Sequence, residues 1–98
     1  MDRKKFVSLC QLAIAARKTA RGDALLPSIQ KGQAKLVLYS SVCGANRRKK
    51  ITDKCATYQI PALEVPADLF EQIHSGVASA LAVCDQGFTD KLQELMNE

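Results

Sequence analysis

Four consecutive cations, Arg47, Arg48, Lys49 and Lys50, stand inside the stretch GANRRKKITDKC of residues 44–55. Asn46 is placed to cap a helix, and Ile51, Cys55 and Tyr58 then recur at i, i+4 and i+7 as its apolar stripe. The cations would fill the first turn. The helix dipole already puts roughly half a positive charge there, so each cation is unfavourable by about 0.3–1 kcal/mol where screening is weak. Exposed backbone N–H groups, dipole and cations all favour one thing at that place, a bound phosphate.

Other chemistry is sparse. The chain has one His, His74, with no Ser or Cys set to pair with it, and its expected place in the last turn of a helix suits a partial positive charge. Cys10, Cys43, Cys55 and Cys84 are separated by 33, 12 and 29 positions, which fits no zinc pattern. They read as small apolar residues of a reduced protein. Cys43 is the candidate reactive thiol, because it precedes the cationic helix start. Asp85, Gln86 and Gly87 follow the last strong strand, at the rim where open α/β sheets bind ligands, although a strand-to-helix turn needs such residues anyway. There is no Gly-rich phosphate loop, so the expectation is a protein that is not an enzyme and takes no cofactor, metal or small-molecule substrate.

Charge is distributed unevenly. The 98 residues carry a net +4, but residues 1–58 hold 13 Lys/Arg against 3 Asp/Glu, while residues 59–98 hold one Lys against 7 acids. A polyanion is the natural partner of the first part. No basic helix also presents a bulky apolar face, which argues against a membrane surface. The N-terminal MDRKKFVSLCQLAIAARK has the look of a signal peptide, yet Lys4, Ser8, Gln11 and Lys18, with Ala15 in the gap, trace a polar stripe along a helix expected to be broadly buried. The expectation is a soluble, cytoplasmic protein.

The elements that must position these residues follow from periodicity and punctuation. KTARGD is a short connection with room for an edge strand; Asp23 would cap a second helix carrying Leu25, Leu26 and Ile29, ended by Gly32. AKLVLYS, residues 34–40, reads as a strand covered on both faces. The cationic helix should end near Gln59, before Pro61. ALEV is a short strand, Asp68 and Glu71 resemble a capping box for a helix closed by Gly76, SALAVC is a buried strand, and Phe88, Leu92, Leu95 and Met96 mark a last helix. One domain spanning residues 1–98 is expected, a three-layer α/β/α sandwich around a small mixed sheet.

No strand carries an RRM aromatic triplet, no GXXG loop suggests a KH domain, and five aromatics without Trp make a poor base-stacking platform, so binding would act through charge and shape. AKLVLYS followed by NRRKKITDKC, then YQIPALEV and the CDQGF turn, resembles the YlxQ-like bacterial branch of the ribosomal protein seven-Ae family, over nearly the whole chain. The resemblance implies an α/β/α sandwich that binds kink-turn RNA through the start of its second helix, the loop after its second strand and the loop before its last strand.

Asn46, Lys49, Lys50 and Lys54 match the bacterial pattern. At the second helix, Asp23, Ala24 and Pro27 stand where kink-turn binders carry Asn, Glu and Lys; Ser41 and Val42 replace an acidic pair, and residues 74–78 lack a common Gly-Lys. The expected function is therefore non-enzymatic binding of structured RNA, ribosomal or kink-turn-like, at or near the ribosome. Lys18, Arg21 and Arg47, Arg48, Lys49 and Lys50 would contact phosphates, with Asn46 at the helix start and the Gly22 and Asp23 backbone assisting. A protein-interaction module that keeps the fold but has lost the RNA site is the alternative, and a small redox or ligand-sensing protein using Cys43 or the Asp85 turn is a third.

Overall fold

The structure is a computed structural model that describes residues 2–73 and 79–97. Its elements run α1 (Arg3–Ala15), β1 (Thr19–Ala20), a 3-10 turn (Gly22–Ala24), α2 (Leu25–Gln30), β2 (Leu36–Ser40), α3 (Ala45–Thr57), β3 (Ala62–Val65), α4 (Ala67–Ile73), β4 (Ala80–Val83) and α5 (Gln86–Met96). The strands form one mixed sheet in the order β1-β4-β2-β3. β4 is antiparallel to β1 and to β2, and β2 is parallel to β3.

The alternation of side chains along each strand separates two cores. Leu36, Leu38, Leu81, Val83 and Val65 face one way and meet Phe6, Val7 and Cys10 of α1, Leu69, Phe70 and Ile73 of α4, and Leu92 and Leu95 of α5. Val37, Ala80 and Ala82 face the other way, against Leu25 and Ile29 of α2 and Ile51 and Cys55 of α3. Small residues dominate the sheet's second face. Each fully buried Leu, Ile or Phe contributes about 1.5–3 kcal/mol relative to an exposed one, so the two helix layers are held mainly by these contacts. The sandwich and the mixed sheet are as the sequence leads one to expect.

Several local expectations change. Helix α1 ends at Ala15, and Arg17 takes the left-handed conformation (φ 58°), so Lys18 lies outside the helix and outside its polar stripe. The helix is buried on one face only, with Leu12 58% exposed. Asp23 does not cap α2: it sits within the 3-10 turn, and neither that turn nor α2 has a side-chain cap hydrogen bond. Pro27 has no amide to donate in the first turn of α2, and within the 3-10 turn the Ala24 amide donates to the Arg21 carbonyl at 3.1 Å. Gly32 (φ 74°) does end α2.

Helix α3 closes at Thr57 with Tyr58 as its C-cap, and Gln59 (φ 57°) makes the left-handed turn before Pro61. Tyr58 is 44% exposed and leaves the apolar stripe to Ile51 and Cys55. Asp68 is no capping-box residue, since α4 begins at Ala67 and the Asp68 carboxylate accepts from Arg3 Nη2 at 2.8 Å. The Ala67 amide donates to Ser41 Oγ at 3.0 Å instead. His74 and Gly76 lie outside the described residues. Strand β3 is an edge of the sheet, bracketed by Pro61 and Pro66, with Glu64 exposed.

Asp85 is the N-cap of α5, its Oδ2 accepting from the Phe88 amide at 2.9 Å. Asp85→Ala is expected to destabilise the protein by about 0.5–2 kcal/mol, read as a lower urea midpoint with an unchanged slope.

Candidate nucleic-acid interface

Two strands that are both antiparallel to β4 must run in the same direction as each other, and β3 is parallel to β2. The carboxyl ends of β1, β2 and β3 therefore point towards one end of the sheet, although β1 stops at Ala20, level with Val37 and three residues short of Ser40. Each is followed directly by a helical start: the Gly22–Ala24 turn leading into α2, then α3, then α4. The chain at Arg21, Gly22 and Asp23 thus heads towards the end where residues 44–48 lie, and α2 packs against α3. Gly22 has φ 59°, a conformation that a side chain would strain, and a Cβ there would meet nothing within 4 Å, so turn geometry rather than crowding calls for glycine.

Helix α3 begins two residues earlier than the sequence suggests, so Lys49 and Lys50 fall beyond its first turn. Gly44 is the N-cap and makes no side-chain cap bond, so Asn46 is not the cap but the second helical residue, exposed. The Arg48 amide is the first to find a helical acceptor, the Gly44 carbonyl at 2.8 Å. The amides ahead of it belong to the unsatisfied first turn that every helix presents. No acidic residue sits in that turn to offset its partial positive charge.

Asn46, Lys49 and Lys50 are all exposed and share one helix face at i, i+3 and i+4. Arg47 and Arg48 are only half-exposed, which the stripe pattern does not convey. Arg48 Nε is covered and has no hydrogen-bond partner among the described residues. Lys50 also borders a cleft of about 430 Å³ between α2 and α3, with Leu26, Asp53, Lys54 and Thr57.

Lys18 is the exception. Its carbonyl accepts from the Cys84 amide at 2.7 Å, just past the carboxyl end of β4, which puts its backbone at the opposite end of the sheet from the α3 start. Three residues of extended chain lie between it and Gly22, a span on the order of 13 Å.

Val42 was not a candidate on sequence grounds, yet it is 77% exposed on the loop between β2 and α3. Its chain neighbour Ser41 holds the start of α4, so that loop is fixed from both sides. A long exposed aliphatic side chain beside a basic helix start was the only signal available, and a strand end offers many such positions.

Cys43 is 3% exposed at this end, which removes the access a reactive thiol needs. All four cysteines are free. Burial pushes the Cys10 thiol up to about 12 and that of Cys55 up to about 11, from an ordinary 9.0. Burial also raises Cys84, outweighing a hydrogen bond from Ser28 and the charge of Lys35. Among the described residues no group of three or more His, Cys, Asp or Glu could hold a metal ion, and no helix is long and apolar enough to cross a membrane.

A full-length relative shows the family. The RNA-binding protein YlxQ of Bacillus subtilis (strain 168) is 37% identical over 100 residues, covering 99% of this chain and all of that one. An RNA-binding protein YlxQ of Enterococcus faecium is 29% identical, covering 97% of this chain and 94% of its own. A solved structure of a protein with unknown function from Bacillus halodurans C superposes with a TM-score of 0.86 at 37% identity, covering 96% of this chain and 98% of that one. The 15.5kD RNA-binding protein of Giardia lamblia has the same fold at 13% identity, with a TM-score of 0.72 over 99% of this chain and 87% of that one. No family model matches the chain.

The thiol shifts set a pH dependence. A group whose folded pKa exceeds its unfolded one keeps its proton in the folded state, so the stability it contributes is intact below about pH 9 and falls as pH rises from there towards 11 and 12. The urea-unfolding free energy is therefore expected to decline more steeply above pH 9 for the native chain than for Cys10→Ala, by about 1.4 kcal/mol per pH unit.

Proposed function

We propose, from the premise that the chain belongs to the YlxQ family of RNA-binding proteins, that it binds structured RNA, ribosomal or kink-turn-like, through the end of the sheet where α2 and α3 begin. The observation that supports this reading is the common direction of β1 and β2, which points the Arg21–Asp23 turn and the cationic start of α3 towards the same end of the sheet. The compartment that suits this partner is the cytoplasm, and no chemical step is assigned to the chain.

A backbone phosphate would accept from the free amides ahead of Arg48, where dipole and backbone donors act together. Lys49, Lys50 and Arg21 would neutralise neighbouring phosphates, and the Arg48 guanidinium would gain the acceptor its Nε lacks. Val42 would rest against a sugar or base. The only exposed aromatic among the described residues is Tyr58, just past the far end of α3, so stacking contributes nothing at this end and recognition rests on phosphate positions and RNA shape. The cost of crowding cations at a helix start disappears once RNA neutralises them.

Filter binding over a salt series tests this. The exchange of Arg47, Arg48, Lys49 and Lys50 for Gln is expected to weaken binding of structured RNA and to flatten its log–log salt slope by about 0.7–0.9 for each phosphate that is no longer neutralised. Because the two arginines are half-buried, Lys49→Gln with Lys50→Gln serves as the variant free of folding effects. A native affinity that hardly changes between low and moderate salt overturns the reading.

A further inference from the structure

The end of the sheet away from the helix starts carries a separate cleft of about 380 Å³, a volume within the usual range for small-ligand sites. It lies where β4 ends beside the beginning of β2: the Lys35 amide donates to the Val83 carbonyl at 2.7 Å, and the Val37 amide to the Pro61 carbonyl at 2.9 Å. Its lining brings together an ammonium, Lys35; an aromatic ring, Tyr58; three carboxamides, Gln59, Gln86 and Gln93; and Thr89. Tyr58 is the one large aromatic that α3 leaves exposed, and Gln59 is held beside it in the left-handed conformation.

Thr89 supplies the second, independent observation. The residue is 1% exposed, and its Oγ1 is buried without a hydrogen-bond partner among the described residues. A buried hydroxyl in that state costs the protein its desolvation with no compensating bond, and natural proteins keep few of them. Two flanking amides of the same helix, Gln86 and Gln93, end at the same cleft. Gln86 Nε2 is already engaged with Asp90 Oδ1 at 2.8 Å, which leaves its carbonyl free to accept.

We propose that this cleft binds a nucleotide, with the base against Tyr58, its hydrogen-bonding edge met by Gln86, Gln93 and the Thr89 hydroxyl, and its phosphate on Lys35. Carboxamides and a hydroxyl are able both to donate and to accept, which is what the edge of a base requires. Asp90 places negative charge on the α5 side, where it favours base amino groups and turns the phosphate towards Lys35. The nucleotide is either free or an unpaired residue of a longer RNA; only the second source rests on the function proposed above.

The test is amide NMR of the labelled full chain, titrated to millimolar concentration first with each of the four nucleoside 5′-monophosphates and then with a short single-stranded RNA. Shifts centred on Lys35, Gln59, Gln86, Thr89 and Gln93 with monophosphate are expected for a free nucleotide, and the same shifts with RNA alone for an unpaired residue. Tyr58→Ala is expected to weaken whichever binds by roughly 10- to 100-fold. Thr89→Val is expected to weaken it while raising the melting temperature of the unliganded protein, an outcome that a purely structural Thr89 would not give.

Lys49→Gln with Lys50→Gln is expected to leave monophosphate binding unchanged, which separates the two sites: loss of salt-dependent RNA affinity with an intact cleft sinks only the earlier reading. If neither monophosphate nor RNA perturbs the cleft amides, or if Tyr58→Ala binds as the native chain does, the cleft proposal is overturned.

Discussion

Strand β4 is hydrogen-bonded on both sides, pairing Thr19 with Val83 and Ala20 with Ala82 across one edge, and Leu36 to Tyr39 with Val83 to Ala80 across the other. Its four residues are all buried, so its register cannot slip without moving Leu81 and Val83 out of one core and Ala80 and Ala82 out of the other. Because it runs against both neighbours, those neighbours run with each other. The common direction of β1 and β2, and with it the direction in which α2 and α3 are entered, follows from this single pairing. A two-residue strand such as β1 could not hold its direction alone; the Lys18 carbonyl and the Cys84 amide extend the pairing past its end.

The polarity seen along the sequence becomes a polarity between layers. The acids after residue 58 include Asp68 and Glu71 of α4 and Asp90 and Glu94 of α5, both on the face shared with α1. The opposite layer holds α3 with five cations against one acid. Helix α1 carries Arg3, Lys4 and Lys5, and Arg3 is drawn into a pair with Asp68. That pair is exposed on both sides and adds little stability, but it occupies one of the cations on the acidic layer. The net field is thus concentrated on the α2–α3 side, where it would steer a polyanion.

Periodicity made the architecture legible because the core obeys it: Ile51 and Cys55, Leu92 and Leu95, and the apolar runs of β2 and β4, apart from half-buried Tyr39, are buried where their spacing puts them. Ends of elements were harder. Asn46 and Asp23 are both strong capping types, yet neither caps, since Gly44 already starts α3 and Pro27 draws the α2 entry into a tighter turn. The preference of a side chain for a cap is worth about 1 kcal/mol, too little to decide a boundary that loop length and packing also set. Lys18 stands apart from Arg21 for a different reason. Its distance from Arg21 in sequence is small, but the extended chain of β1 carries the backbone about 10 Å along the sheet. The cleft near Thr89 was invisible as such, because Tyr58, Gln86 and Lys35 come from three segments brought together only by the β2–β3 and β2–β4 pairings.

The edges of the sheet have a consequence of their own. On one side β1 offers only two residues; on the other β3 is closed at each end by a proline and shows a charged Glu64 to solvent. Neither border gives an incoming extended peptide a long row of unpaired amides to match, and that discourages the edge-to-edge growth by which small sheet proteins polymerise. The two short borders thus confine the sheet to the strands of a single molecule.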